Sequence, residues 1–141
     1  MTSRHDRQQR DDDPCTALHL PFEPASARVA RKQLVAELRM LGMRDTFVHD
    51  AELVLGELAA NGLEHGRPNA DGLIDISWCI DDGVVRISVC DGGPPSTLRK
   101  VSFSDDGARG RGLAIVEHIC DAWTVEHHDG LRVTAELQYR D

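Results

Sequence analysis

The sequence predicts an α+β domain: a two-layer α/β sandwich with helices on one face of a mixed, mostly antiparallel sheet. Three observations carry that expectation. Two consecutive stretches, about 24–41 and 45–65, repeat apolar residues at helical spacing. Two later stretches read as β-hairpins in which turn chemistry and apolar alternation agree on the register. Strands and helices do not alternate in a regular βαβ series, which argues against a Rossmann arrangement and for helices segregated to one layer.

Residues 1–14 are polar and charged, with Arg4, Arg7 and Arg10 ahead of Asp11, Asp12 and Asp13. They cannot bury enough apolar surface to order themselves, so a disordered tail is expected, followed by one domain over 15–141. Leu18, Leu20 and Phe22 alternate and predict a strand over 16–22, with Pro21 placing it at an edge or ending it. In the first helix Ala27, Ala30, Leu34, Leu38 and Leu41 face inward, opposite Arg28, Arg31, Lys32 and Arg39. Pro24 suits its start and Gly42 its stop. In the second, Val48, Ala51, Leu55 and Leu58 face inward, and Gly66, Pro68 and Asn69 end the helix.

Ile74, Ile76, Trp78 and Ile80 share one face of the next strand. Asp82-Gly83 is a two-residue turn of the primed type, and folding about it sets Ile80 opposite Val85, Trp78 opposite Ile87 and Ile76 opposite Val89. Residues 94–111 show no periodicity, and a loop of that length in a compact domain is functional or disordered. A helix is expected over about 112–120, with Leu113, Val116 and Ile119 inward. In the last hairpin, strands 123–126 and 131–139 flank His128-Asp129-Gly130. A three-residue loop with Gly130 at positive φ pairs Val125 with Val133 and Trp123 with Ala135; a two-residue loop would split the apolar sets between faces.

A chain of 141 residues, 40% hydrophobic and 28% charged, has the composition of one globular domain. A net charge of -8 argues against a nucleic-acid phosphate track. It leaves room for a single nucleotide held by local donors, and it favours partners with a basic patch. Cys15, Cys79, Cys90 and Cys120 lack zinc or redox spacing and read as small, buried, reduced hydrophobes. With no apolar run of membrane-spanning length and no signal-peptide core, a cytoplasmic protein without membrane attachment is expected.

Three polar points could carry chemistry. Glu57 and Asn61 lie one helical turn apart, with Glu64 close to the same line. They make either a solvated polar face or a carboxylate and an amide oxygen set for a magnesium-nucleotide. Asp91 ends a buried strand, where a carboxylate needs a donor. Asp91-Gly92-Gly93 is either a tight turn or a place where an adenine amino group meets the carboxylate and the glycines let the base approach. Gly110-Arg111-Gly112-Leu113 opens a helix whose bare N–H groups suit phosphate oxygens, with Lys100 and Arg109 nearby; the other reading is a flexible basic hinge. No His-Glu-x-x-His, Gly-x-Ser-x-Gly or Walker A sequence competes.

Together these residues resemble a known family. Glu57-Leu58-Ala59-Ala60-Asn61-Gly62-Leu63-Glu64-His65 resembles the N box of the gyrase, Hsp90, histidine-kinase and MutL ATPase superfamily. Asp91-Gly92-Gly93 resembles its first glycine box, Asp-x-Gly-x-Gly, and the run from Gly110 to Val116 its second, in matching order over about residues 16–139. The resemblance implies the Bergerat-type ATP-binding fold. Without phosphotransfer helices bearing a phosphoacceptor His, the chain is similar to the stand-alone anti-sigma-factor serine/threonine kinases. Those phosphorylate a small antagonist protein that otherwise frees a sigma factor from the kinase. By that likeness Asn61 would bind magnesium and Glu57 would act as base or position the acceptor hydroxyl. Asp91 and Gly93 would receive the adenine of ATP, while Arg109, Gly110, Arg111, Gly112 and Leu113 would hold its phosphates under a lid at 94–111. An antagonist, a sigma factor and a homodimer are the implied partners, without direct nucleic-acid contact. One departure is that Pro95, preceded by Pro94, replaces the second glycine of the first box and removes N–H donors. It keeps open a second function, a nucleotide-binding switch that holds partners without phosphoryl transfer.

Overall fold

The computed structural model describes residues 15–93, 114–127 and 130–140. Within them the order is β1 (Cys15–Pro21), α1 (Ala25–Met40), α2 (Asp45–His65), β2 (Leu73–Asp81), β3 (Val84–Asp91), β4 (Ala122–His127) and β5 (Leu131–Gln138). A helical segment over 114–119 precedes β4. The expected tail at 1–14 and loop at 94–111 fall outside the described residues.

The strands form one sheet in the order β1-β2-β3-β5-β4. Every described neighbour pair is antiparallel, so the sheet is not mixed over these residues. The reason is the placing of β5. The second strand of the last hairpin inserts beside β3, and β4, which would run parallel to β3, is displaced to the edge.

Both hairpin registers follow the apolar pattern. Ile80 faces Val85, Trp78 faces Ile87 and Ile76 faces Val89. Asp82 and Gly83 both have positive φ, 54° and 77°, as a type I′ turn requires. In the second hairpin Val125 faces Val133 and Trp123 faces Ala135. His127 pairs with Leu131 across the three-residue loop, and Gly130 sits at φ 128°.

Both helices lay their apolar stripes on one face of the sheet. Leu34 and Leu38 of α1, Val54 and Leu55 of α2 and Ile74, Ile76 and Ile87 of the sheet are fully buried in a common core. Burial of that apolar area is the main force joining the layers. A polar tie crosses the same boundary. Trp78, 1% exposed, donates its indole N–H to Glu37 Oε1 at 2.8 Å, and the Thr16 hydroxyl donates to the same carboxylate at 3.0 and 3.1 Å. Glu37 thereby fastens α1 to β1 and β2, and it gives a buried indole the acceptor it needs.

The cysteines depart from expectation. Cys15 and Cys79 form a disulfide with Sγ–Sγ 2.03 Å, while Cys90 and Cys120 are half-buried thiols outside any disulfide. The β1–β2 register sets Cys15 directly opposite Cys79. A contact between residues 64 positions apart belongs to the sheet and leaves no trace in local spacing. No helix among the described residues is long and apolar enough to cross a membrane.

Candidate functional site

The site is built where the end of α2 meets the end of β3. β3 alternates, and its last inward position is Asp91, 3% exposed. What lies against that carboxylate is glycine. A Cβ at Gly62 would sit 3.3 Å from Asp91 Oδ2, and one at Gly66 would collide with the carboxylate. Gly93 donates its N–H to Asp91 Oδ1 at 2.5 Å, and Gly93 is itself buried at φ 38°. A buried carboxylate is stabilised by such a donor, and its two oxygens offer about four acceptor positions in all.

The chain after α2 is tied to the same point. Gly92 donates to the Arg67 carbonyl at 2.7 Å, and a Cβ at Gly92 would collide with the Pro68 carbonyl. Asn69 Oδ1 accepts from the N–H groups of Asp71 and Leu73 at 2.9 and 3.0 Å, folding the loop back into β2. Helix end, loop and strand end therefore hold one another.

Asn61 and Glu57 are half-buried and Glu64 is exposed. Asn61 directly precedes Gly62, so the helix brings it to the Asp91 end of the site. Glu57, one turn back, lines a cavity of about 380 Å³ with Arg31, His49, Glu52, Leu53, Gly56 and Ala60. This cleft lies between α1 and α2. The Arg31 side chain crosses Gly56, where a Cβ would stand 3.1 Å from its Cδ, and its Nε is 3.9 Å from Glu52 Oε2. Neither Asn61 nor Asp91 lines that cavity. The structure thus gathers Asp91, Gly93 and the Asn61 end of α2, and it opens Glu57 toward a neighbouring cleft. Arg109, Gly110, Arg111, Gly112 and Leu113 fall outside the described residues. The helical segment that follows them is anchored by fully buried Val116, as its spacing predicts.

Gly62 and Gly66 are the site residues that sequence reasoning missed. Gly66 read as a helix stop and Gly62 had no role. The available signal was a glycine in the last turn of the helix and a second just past its end, two places where another element can approach the backbone closely. Among the described residues no group of three or more His, Cys, Asp or Glu side chains could hold a metal ion. A magnesium ion brought with a nucleotide needs no such cage, since it takes one or two protein oxygens plus phosphate oxygens. The half-buried Asn61 amide and the buried Asp91 carboxylate, seated against glycine backbone, are the oxygen donors this end of the chain offers to such a ligand.

Fold and site together define a two-layer α+β sandwich with a buried carboxylate at a strand end. The family model of the histidine kinase-like ATPase domain matches residues 20–137, and the chain belongs to that family. Among solved structures it is similar to the RsbU and RsbW domains of Rv1364c from Mycobacterium tuberculosis, with 25% identity and a TM-score of 0.68. That match covers 89% of this chain and 32% of the other, so the chain spans about a third of that protein's length. The SiaB–SiaC complex from Pseudomonas aeruginosa shares the fold at 11% identity and a TM-score of 0.67, over 96% of this chain and 97% of the other. No curated protein sequence gives a significant match.

Proposed function

We propose that the chain is an ATP-binding serine/threonine protein kinase of the anti-sigma-factor type. It would phosphorylate a Ser or Thr of a small antagonist and hold a sigma factor when the antagonist is absent. One observation carries this reading: the Asp91 carboxylate is seated against Gly62 and Gly66, joining the N-box helix to the first glycine box in a chain of the histidine kinase-like ATPase family. The likeness to a protein bearing an RsbW domain supports the anti-sigma assignment.

In this reading Asp91 accepts from the adenine amino group and Gly93 leaves room for the base. Asn61 offers its amide oxygen to magnesium, and residues 109–113 offer backbone N–H groups and the Arg109 and Arg111 side chains to phosphates. Magnesium would supply charge neutralisation on the phosphate oxygens. Glu57 takes the proton from the acceptor hydroxyl as that oxygen bonds to the terminal phosphorus and ADP departs. Its opening to the α1–α2 cleft gives the acceptor a way in that avoids the Asp91 end. Positioning and charge neutralisation supply most of what such a transfer requires.

The test is purified chain with labelled ATP, magnesium and a candidate antagonist. Label on a partner Ser or Thr is expected, lost in Glu57→Gln with ATP binding retained. Asn61→Ala is expected to abolish magnesium-dependent ATP binding while the fold survives; unfolding of that variant would make Asn61 structural. The second reading, a switch without transfer, is favoured by Pro94 and Pro95. It predicts ATP-dependent partner binding with no label on the partner.

A further inference from the structure

We propose that Cys15 and Cys79 are a reversible redox site, opened by a dithiol reductant and closed by a small-molecule disulfide, that fastens or releases the start of β1. The pair sits at the edge of the sheet, remote from the Asp91 end. Cys15 is exposed and belongs to a strand paired on one side, while Cys79 is half-buried in β2. Their Cα atoms are 3.9 Å apart because the register makes them direct partners, so the thiols stay together when the bond opens. The pairs from Thr16–Trp78 to Pro21–Leu73 still hold β1 in that state, so both states are folded. The next residues inward, Thr16 and Trp78, both donate to Glu37. The bond therefore clamps the point where β1 and β2 are tied to α1.

The chemistry is thiol–disulfide exchange. A thiolate of the reductant attacks the exposed Cys15 sulfur. The Sγ–Sγ bond breaks and Cys79 leaves as a thiolate, which takes a proton. The reductant's second thiol then attacks the mixed disulfide, releasing Cys15 and closing the reductant's own disulfide, so two electrons have passed to the pair. Arg86 lies opposite Cys79 in β3, on the same face of the sheet, although its Nε also bonds Glu136 at 2.8 Å. A guanidinium there is a favourable neighbour for a departing thiolate. A pair of this kind reports the redox state of its compartment, the usual role of disulfides where thiols are normally kept reduced.

The test treats the folded chain with oxidant or reductant and then counts its thiols by alkylation and mass. After equilibration with glutathione disulfide, alkylation in denaturant should find Cys90 and Cys120 alone. Brief native treatment with dithiothreitol should expose all four cysteines, and returning glutathione disulfide should restore the first pattern. Amide exchange at 16–18 should speed about tenfold or more on reduction, without loss of far-ultraviolet ellipticity. Cys15→Ser with Cys79→Ser should show the fast exchange in both buffers. Four free thiols under the oxidising buffer, a bond that yields to dithiothreitol only on unfolding, or equal exchange in the two states would each overturn the proposal.

Discussion

Two carboxylates join helices to the sheet, and their surroundings are opposite. Glu37, where α1 meets β1 and β2, is surrounded by side-chain donors from Thr16, Gln33 and Trp78. Asp91, where α2 meets β3, is surrounded by glycine: Gly62, Gly66 and Gly93 lie against it, and Gly93 gives it a backbone N–H. Side-chain donors make a carboxylate a tie between elements. Glycines let the other carboxylate seat directly against helix and loop backbone, where a Cβ would meet it. The chemical group is the same at both junctions, and what surrounds it differs: side-chain donors at Glu37, glycine backbone at Asp91.

The largest expected effect is at Gly66. Its backbone is extended, at φ -96° and ψ -159°, which alanine adopts freely, so any cost of Gly66→Ala comes from the collision with Asp91. Overpacking of this kind should cost about 3 kcal/mol of stability and should displace the carboxylate, weakening ATP binding as well. Urea unfolding and ATP titration on one variant check both. A stable Gly66→Ala that binds ATP normally would show that the glycines are not what seats the Asp91 carboxylate. Next is Asp91→Asn, which keeps the shape and turns one acceptor into a donor. ATP affinity should fall on the order of 10- to 100-fold, the loss of one hydrogen bond to a charged group, with near-ultraviolet ellipticity retained.

At the other junction the balance should reverse. Glu37→Ala leaves the buried Trp78 indole N–H without its acceptor, and stability should drop by about 2 kcal/mol with ATP affinity unchanged. Glu37→Gln keeps one acceptor oxygen and should cost roughly half as much. Thermal melts and ATP titrations of the pair decide it. If Glu37→Ala weakens ATP binding as much as Asp91→Asn does, the distinction between tie and site fails.

These two junctions also separate what was legible in the sequence from what was not. Asp91 was legible, because a carboxylate ending an apolar strand before two glycines is a local anomaly that burial makes expensive. Both hairpin registers were legible, since Asp82-Gly83 and Gly130 fix the turn and the alternation must agree with it. Glu37 was not. In a helix bearing Arg28, Arg31, Lys32 and Arg39 it looks like one more surface charge, and its partners lie 21 and 41 residues away in other elements. The disulfide was hidden for the same reason. The all-antiparallel sheet was missed because the position of β5 beside β3 is a long-range choice that no turn residue encodes.

The smallest effect concerns a third carboxylate, at the other edge of the sheet. Asp121 is exposed; it accepts the Gln138 N–H at 2.7 Å and lies 3.7 Å from Arg140. Beside it, burial first and then the Asp121 charge push the Cys120 thiol up from 9.0 to about 12. The folded chain therefore keeps a proton that the unfolded chain releases above pH 9.0. Stability from this group is whole below that value and is lost as pH rises toward about 12. In a Cys15→Ser/Cys79→Ser background, which keeps disulfide exchange out, urea midpoints with Cys120 and with Cys120→Ala should move closer from about pH 8 to about pH 10, the cysteine protein losing ground. Asp121→Asn removes the second cause, so it should narrow the window from its upper end and leave the onset in place. With the titration carried on toward pH 12, an equal fall with and without Asp121 would make desolvation the whole cause, and the carboxylate at this third junction would be neither a tie to the thiol nor a site.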